Sequence, residues 1–89
     1  MTYDYQAEKA RIFTEDGQKM FLSIRDRVKK LIADAGSVRM DKAISGETGC
    51  SWQLLACVDR LVELGEIIEI TQAGKVAGQH RIFTSHPEA

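Results

Sequence analysis

The 89 residues suffice for one domain with one modest core: 44% are apolar and 28% charged, with a single proline, unlike a disordered chain. The formal net charge is −1 and the sequence pI about 6.1. Nucleic-acid-binding domains commonly lie above pI ~9, so any phosphate contact has to come from a local basic face on a near-neutral body. No apolar run approaches the ~20 residues that span a bilayer, and the opening MTYDYQAEKARIF lacks the apolar stretch of a secretory signal. A cytoplasmic protein without membrane contact is the expectation.

Residues 1–13 mix Tyr3, Tyr5, Ile12 and Phe13 with Asp4, Glu8, Lys9 and Arg11. Two readings are open for them: a loose tail, or an extra helix that packs on the body or on a second copy. Thr14-Glu15-Asp16 reads as a helix start, with Thr14 or Asp16 as cap and two acids at the positive end of the dipole. Met20, Phe21, Ile24, Val28, Leu31, Ile32 and Ala35 share one face of that helix, and Gly36 ends it. Arg25, Lys29 and Lys30 hold the opposite side, while Leu22 points away from the apolar stripe. Ser37–Met40 has room only for a brief strand. From Asp41 a second helix runs to about Thr48, burying Ala43 and Ile44. Gly46 weakens its interior by about 1 kcal/mol relative to Ala, so packing has to hold it.

The most regular stretch is Cys50–Gly65. Leu54, Leu55, Val58, Leu61 and Val62 gather on one face at 3.6 residues per turn, Ser51 suits the start and Gly65 the end. Seven residues of helix separate Cys50 from Cys57, which sets their Cα atoms ~10 Å apart. A disulfide needs ~7 Å or less, so both cysteines read as small buried hydrophobes. With His80 and His86 they give C-x6-C and H-x5-H, which miss the zinc-site spacings; no metal or other cofactor is expected. Glu66–Gln72 and Gln79–Ser85 read as the two strands of a hairpin, joined by the glycine-containing turn 73–78, and Pro87 discourages continuation. No Ser/His/Asp or Cys/His set converges and no glycine loop cradles a phosphate, so an enzyme is not expected.

This order of elements resembles the winged helix-turn-helix superfamily of DNA-binding domains, an α+β fold of three helices followed by a two-stranded β-hairpin wing. The likeness covers residues 14–85, between an N-terminal segment (1–13) and a tail (86–89). It is most specific at Ile44-Ser45-x-x-Thr48-Gly49-Cys50-Ser51-x-x-x-Leu55-x-x-Val58, with a small residue in the first helix, glycine in the turn and apolar anchors in the second helix. Val58–Ile67 is similar to the passage from recognition helix to wing in bacterial regulators.

The resemblance implies a small regulator-like protein that contacts duplex DNA, as a homodimer, through the helix 51–64 and the wing 66–85. Ser51, Trp52, Gln53 and Ala56 would be the reading positions, Gln53 being able to bond adenine N6 and N7. Thr48 and Ser51 would take phosphate oxygens. Lys75, Gln79, His80 and Arg81 would reach the backbone or the minor groove, with Arg39 and Lys42 flanking. One feature departs from the pattern: the outward arc reads Trp52, Ala56, Asp59, Glu63, with Gln53 and Arg60 at its edge, and its two acids would repel any phosphate they faced. A Trp beside an Ala also suits a protein partner. The alternative is therefore a winged-helix interaction module that uses the Trp52/Ala56 face without DNA. For a homodimer, the N-terminal segment or Leu22 is the expected seam.

Overall fold

In the computed structural model, which describes residues 3–48, 51–72 and 75–87, the chain begins with α1 (Tyr5–Glu8), a 3-10 turn (Lys9–Phe13) and α2 (Glu15–Ala35). It continues through β1 (Val38–Arg39), α3 (Met40–Ala43), α4 (Ser51–Glu63), β2 (Ile67–Glu69), a second 3-10 turn (Gly78–His80) and β3 (Ile82–Ser85). The turn expected at Gly49 and the cysteine at Cys50 lie outside the described residues, as does Gly74 in the hairpin. No helix among the described residues is long and apolar enough to cross a membrane.

Thr14 caps α2 as its hydroxyl suggests, accepting from the backbone N–H of Gly17 at 3.0 Å, and Gly36 closes it with φ 86°. Phe21, Ile24, Val28 and Ile32 are buried, with Met20 and Leu31 packed at the margin. Ala35, expected in the same stripe, is exposed in the last turn. The second helix is shorter than expected. α3 is a single turn that ends at Ala43, because Gly46 adopts φ 82°, a left-handed conformation no helix interior contains. Its position is fixed from outside: the N–H of Met40 donates to the carbonyl of Arg81 at 2.7 Å.

The sheet has three antiparallel strands in the order β1-β3-β2, one more than the expected hairpin. Val38 pairs with Phe83 and Arg39 with Ile82, so the brief strand at Ser37–Met40 covers one edge of β3 while β2 covers the other. Both hairpin strands are shorter than their β-branched sequences imply. The Thr71 hydroxyl takes the N–H of Ile82 where a ladder bond would continue, and Gln79 and His80 fall in a 3-10 turn instead of a strand.

α4 buries Leu54, Ala56, Cys57, Val58 and Leu61. It ends in a two-bond cap: the N–H of Glu66 donates to the Leu61 carbonyl and that of Gly65 to Val62, each at 3.0 Å, with Gly65 at φ 76°. The N-terminal segment packs on this body. Ile12 is 1% exposed and belongs to the core, and the carbonyls of Arg11 and Ile12 press against Gly17 in the first turn of α2. A Cβ at Gly17 would stand 2.0 Å from the Arg11 oxygen and 2.8 Å from that of Ile12. Gly17→Ala should therefore push the 3-10 turn off α2 and cost about 1–3 kcal/mol, read as a lower urea midpoint; an unchanged midpoint would show that this contact is not needed.

Candidate functional site

The outward arc of α4 is partly covered, with Ala56 buried and Trp52 and Asp59 half-buried. Gln53, Ala56 and Arg60 share one flank at i, i+3 and i+7, and the 3-10 turn 9–13 lies along it. Gln53 Nε2 donates to the Arg11 carbonyl at 3.5 Å, the Arg60 guanidinium sits 5.2 Å from the Phe13 ring centre, and Ala56 between them is 0% exposed. Ala56 therefore cannot read a base or seat a partner, and the Gln53 amide is partly committed to the chain's own backbone. The physical reason is apolar surface on both sides of α4, which α2 alone cannot cover.

The two acids of that arc are likewise satisfied within the fold. Glu63 accepts from Tyr5 at 3.0 Å and from Lys9 at 3.0 Å, with Arg60 one turn back on the same carboxylate. Hydrogen bonds from Lys9 and then Arg60 hold its carboxyl down at about 2, while partial burial and the bond to Glu63 push the Tyr5 phenol up to about 12. Asp59 accepts from the Tyr3 hydroxyl at 2.6 Å and from Arg81 Nη2 at 2.7 Å. Burial, followed by the bond to Asp59, raises the Tyr3 phenol well above its usual range.

Arg81 is the largest correction to the expected wing. Its Nε and Nη2 form a fork on Glu69 at 3.1 and 2.8 Å, its Nη2 also reaches Asp59, and its plane lies 5.2 Å over Phe83. Three elements (α4, β2 and β3) are tied through one guanidinium, which leaves no donor pattern free for a phosphate. Its side chain is 21% exposed and that of its Asp59 partner 14%, so removal leaves two poorly solvated acids behind.

The remaining positions do face outward. Thr48, Ser51, Arg39, Lys42, Lys75, Gln79 and His80 are exposed, and Trp52 is half-buried. The 3-10 turn carrying Gln79 and His80 rests against α3, which carries Lys42. Arg39 is held by Asp41 at 2.7 Å, whereas Lys42 and Lys75 make no ion pair among the described residues. His80 of the wing and Lys42 of α3 thus belong to elements that pack on one another.

Cys57 is buried and unbridged, and burial, with the Glu47 charge second, pushes its thiol up to about 11, so little reactive thiolate is present at neutral pH. Among the described residues no three His, Cys, Asp or Glu side chains cluster as metal ligands do. Comparison with protein-family models, curated proteins and solved structures finds no match for this chain.

Two outcomes follow. Glu63 has a folded value of about 2 against 4.5 as its reference; a depressed carboxyl stabilises fully above the reference and ceases to as pH falls through the folded value. Amide signals of residues 3–13 should therefore loosen between about pH 4.5 and 2, and Glu63→Gln should flatten that transition. Arg81→Ala should lower stability by about 1–3 kcal/mol in urea unfolding, whereas a surface wing cation would cost nothing measurable.

Proposed function

We propose that the chain is a winged-helix domain that binds duplex DNA through backbone phosphates, using α3, the leading turn of α4 and the tip of the hairpin. The order helix, strand, helix, helix, strand, strand, with β1 beside β3, supports the winged-helix reading. The observation that carries the DNA reading is the pair Lys42 on α3 and Lys75 in the hairpin, both exposed and without an ion pair among the described residues, on a domain whose acids Asp59, Glu63 and Glu69 are already paired. Lys42, Lys75 and the partly compensated Arg39 are the phosphate cations. Thr48 and Ser51 supply hydroxyl donors, and Gln79 and His80 supply donors from the tip.

With Ala56 enclosed and Gln53 turned to Arg11, base reading is reduced to Trp52 and its neighbours, so backbone contacts dominate and sequence selectivity is low. A partner-binding reading through Trp52 and Ala56 loses half of its surface for the same reason. Three cations give a salt-dependence slope of roughly −2.7 in log–log form, and a homodimer, seamed through the N-terminal segment or exposed Leu22, about twice that.

Anisotropy of a labelled random duplex, titrated with protein between about 50 and 200 mM salt, tests this. Lys42→Ala and Lys75→Ala should each reduce the slope by about one unit per copy and weaken binding on every sequence alike. No binding at the lowest salt, or binding indifferent to both substitutions, overturns the proposal.

A further inference from the structure

A second feature borders α3. Between α2 and α3 runs a groove of about 540 Å³ lined by Asp26, Arg27, Lys30, Leu31, Lys42 and Ser45, within the ~300–1,000 Å³ typical of small-molecule sites. Leu31 packs on the core beneath it, and lysine stems add apolar wall to the sides. The wall on the α3 side is held by the chain's own side chains. Arg27 donates to the Ser45 carbonyl and pairs with Glu47 at 3.3 Å, while Ser23 donates to the same carboxylate at 2.7 Å. These bonds fasten the turn after α3 to α2, and they consume the charge of Arg27.

The charges left over define the occupant. Lys30 comes from α2 and Lys42 from α3, and neither makes an ion pair among the described residues; Asp26 is the acid that opposes them. Two cations against one anion leave a single positive charge to be met. We infer that this groove binds a small monoanion with an apolar body, a medium-chain or aromatic carboxylate, whose charge sits between Lys30 and Lys42 and whose body lies on Leu31. A dianion would overcompensate the site and face Asp26. The inference is independent of DNA binding, although Lys42 borders both surfaces.

Octanoate is the probe, titrated into the DNA-free protein and followed by backbone amide shifts, with 1-octanol as its uncharged counterpart. Saturable shifts should centre on Leu31, Lys42 and Ser45, and octanol should bind several-fold more weakly. The double variant Lys30→Gln, Lys42→Gln should weaken octanoate by about tenfold, the size expected from two charge-assisted contacts at a partly exposed site. Lys19→Gln, elsewhere on α2, should leave it unchanged. Equal binding of octanoate and octanol, shifts that centre away from the groove, or an unaltered titration in the double variant would each overturn the inference. Because no DNA is present, a failure here leaves the phosphate-binding reading standing, and the reverse holds for the duplex titration.

Discussion

α4 carries apolar surface on two flanks, and the architecture follows from enclosing both. Leu54, Val58 and Leu61 are buried on a helix that packs on α2 and β2, while Ala56 is buried between Gln53 and Arg60, which meet the 3-10 turn 9–13. Burial of a large aliphatic side chain is worth roughly 2 kcal/mol, and Ile12 reaches the core only because the N-terminal segment crosses α4. Gly17 permits that crossing, since the backbone of the turn passes where any side chain would stand.

The polar groups around this enclosure show the same constraint. Placing Asp59, Glu63 and Glu69 near a covered helix costs solvation, and each is matched: Tyr3 and Arg81 at Asp59, Tyr5, Lys9 and Arg60 at Glu63, Arg81 again at Glu69. Paired charges of this kind contribute little net stability but are costly to break. Arg81 therefore acts as a cross-link between helix and sheet, and its backbone carbonyl also sets the start of α3. A residue at the centre of such a network belongs to the architecture, whatever its charge suggests for an exposed wing.

Around α3, the 3-10 turn of the hairpin packs on the helix, and the groove lined by Leu31 and Lys42 runs between the helix and α2. Lys42 stands between the two, so an anion in the groove and a phosphate on the hairpin side would draw on the same cation. A short helix held by a backbone bond to Arg81 and by the Arg27–Glu47 pair is well suited to present one charge to two neighbours.

Local chemistry made several features legible in the sequence: the Thr14 cap, the Gly36 and Gly65 ends, and the apolar faces of α2 and α4. Each depends on interactions within a few residues, which residue type and spacing encode directly. The fates of Ala56, Gln53 and Arg81 were not legible, because they depend on partners 12 to more than 40 residues away, such as Glu69 for Arg81 and Arg11 for Gln53. An outward-pointing residue on an amphipathic helix reads as solvent-facing until another segment is known to cover it. The sequence alone determined where α2 begins and where α2 and α4 end. Only the tertiary structure decided which charges are spent inside the fold and which are left to meet something else, because burial and pairing are properties of distant surfaces brought together.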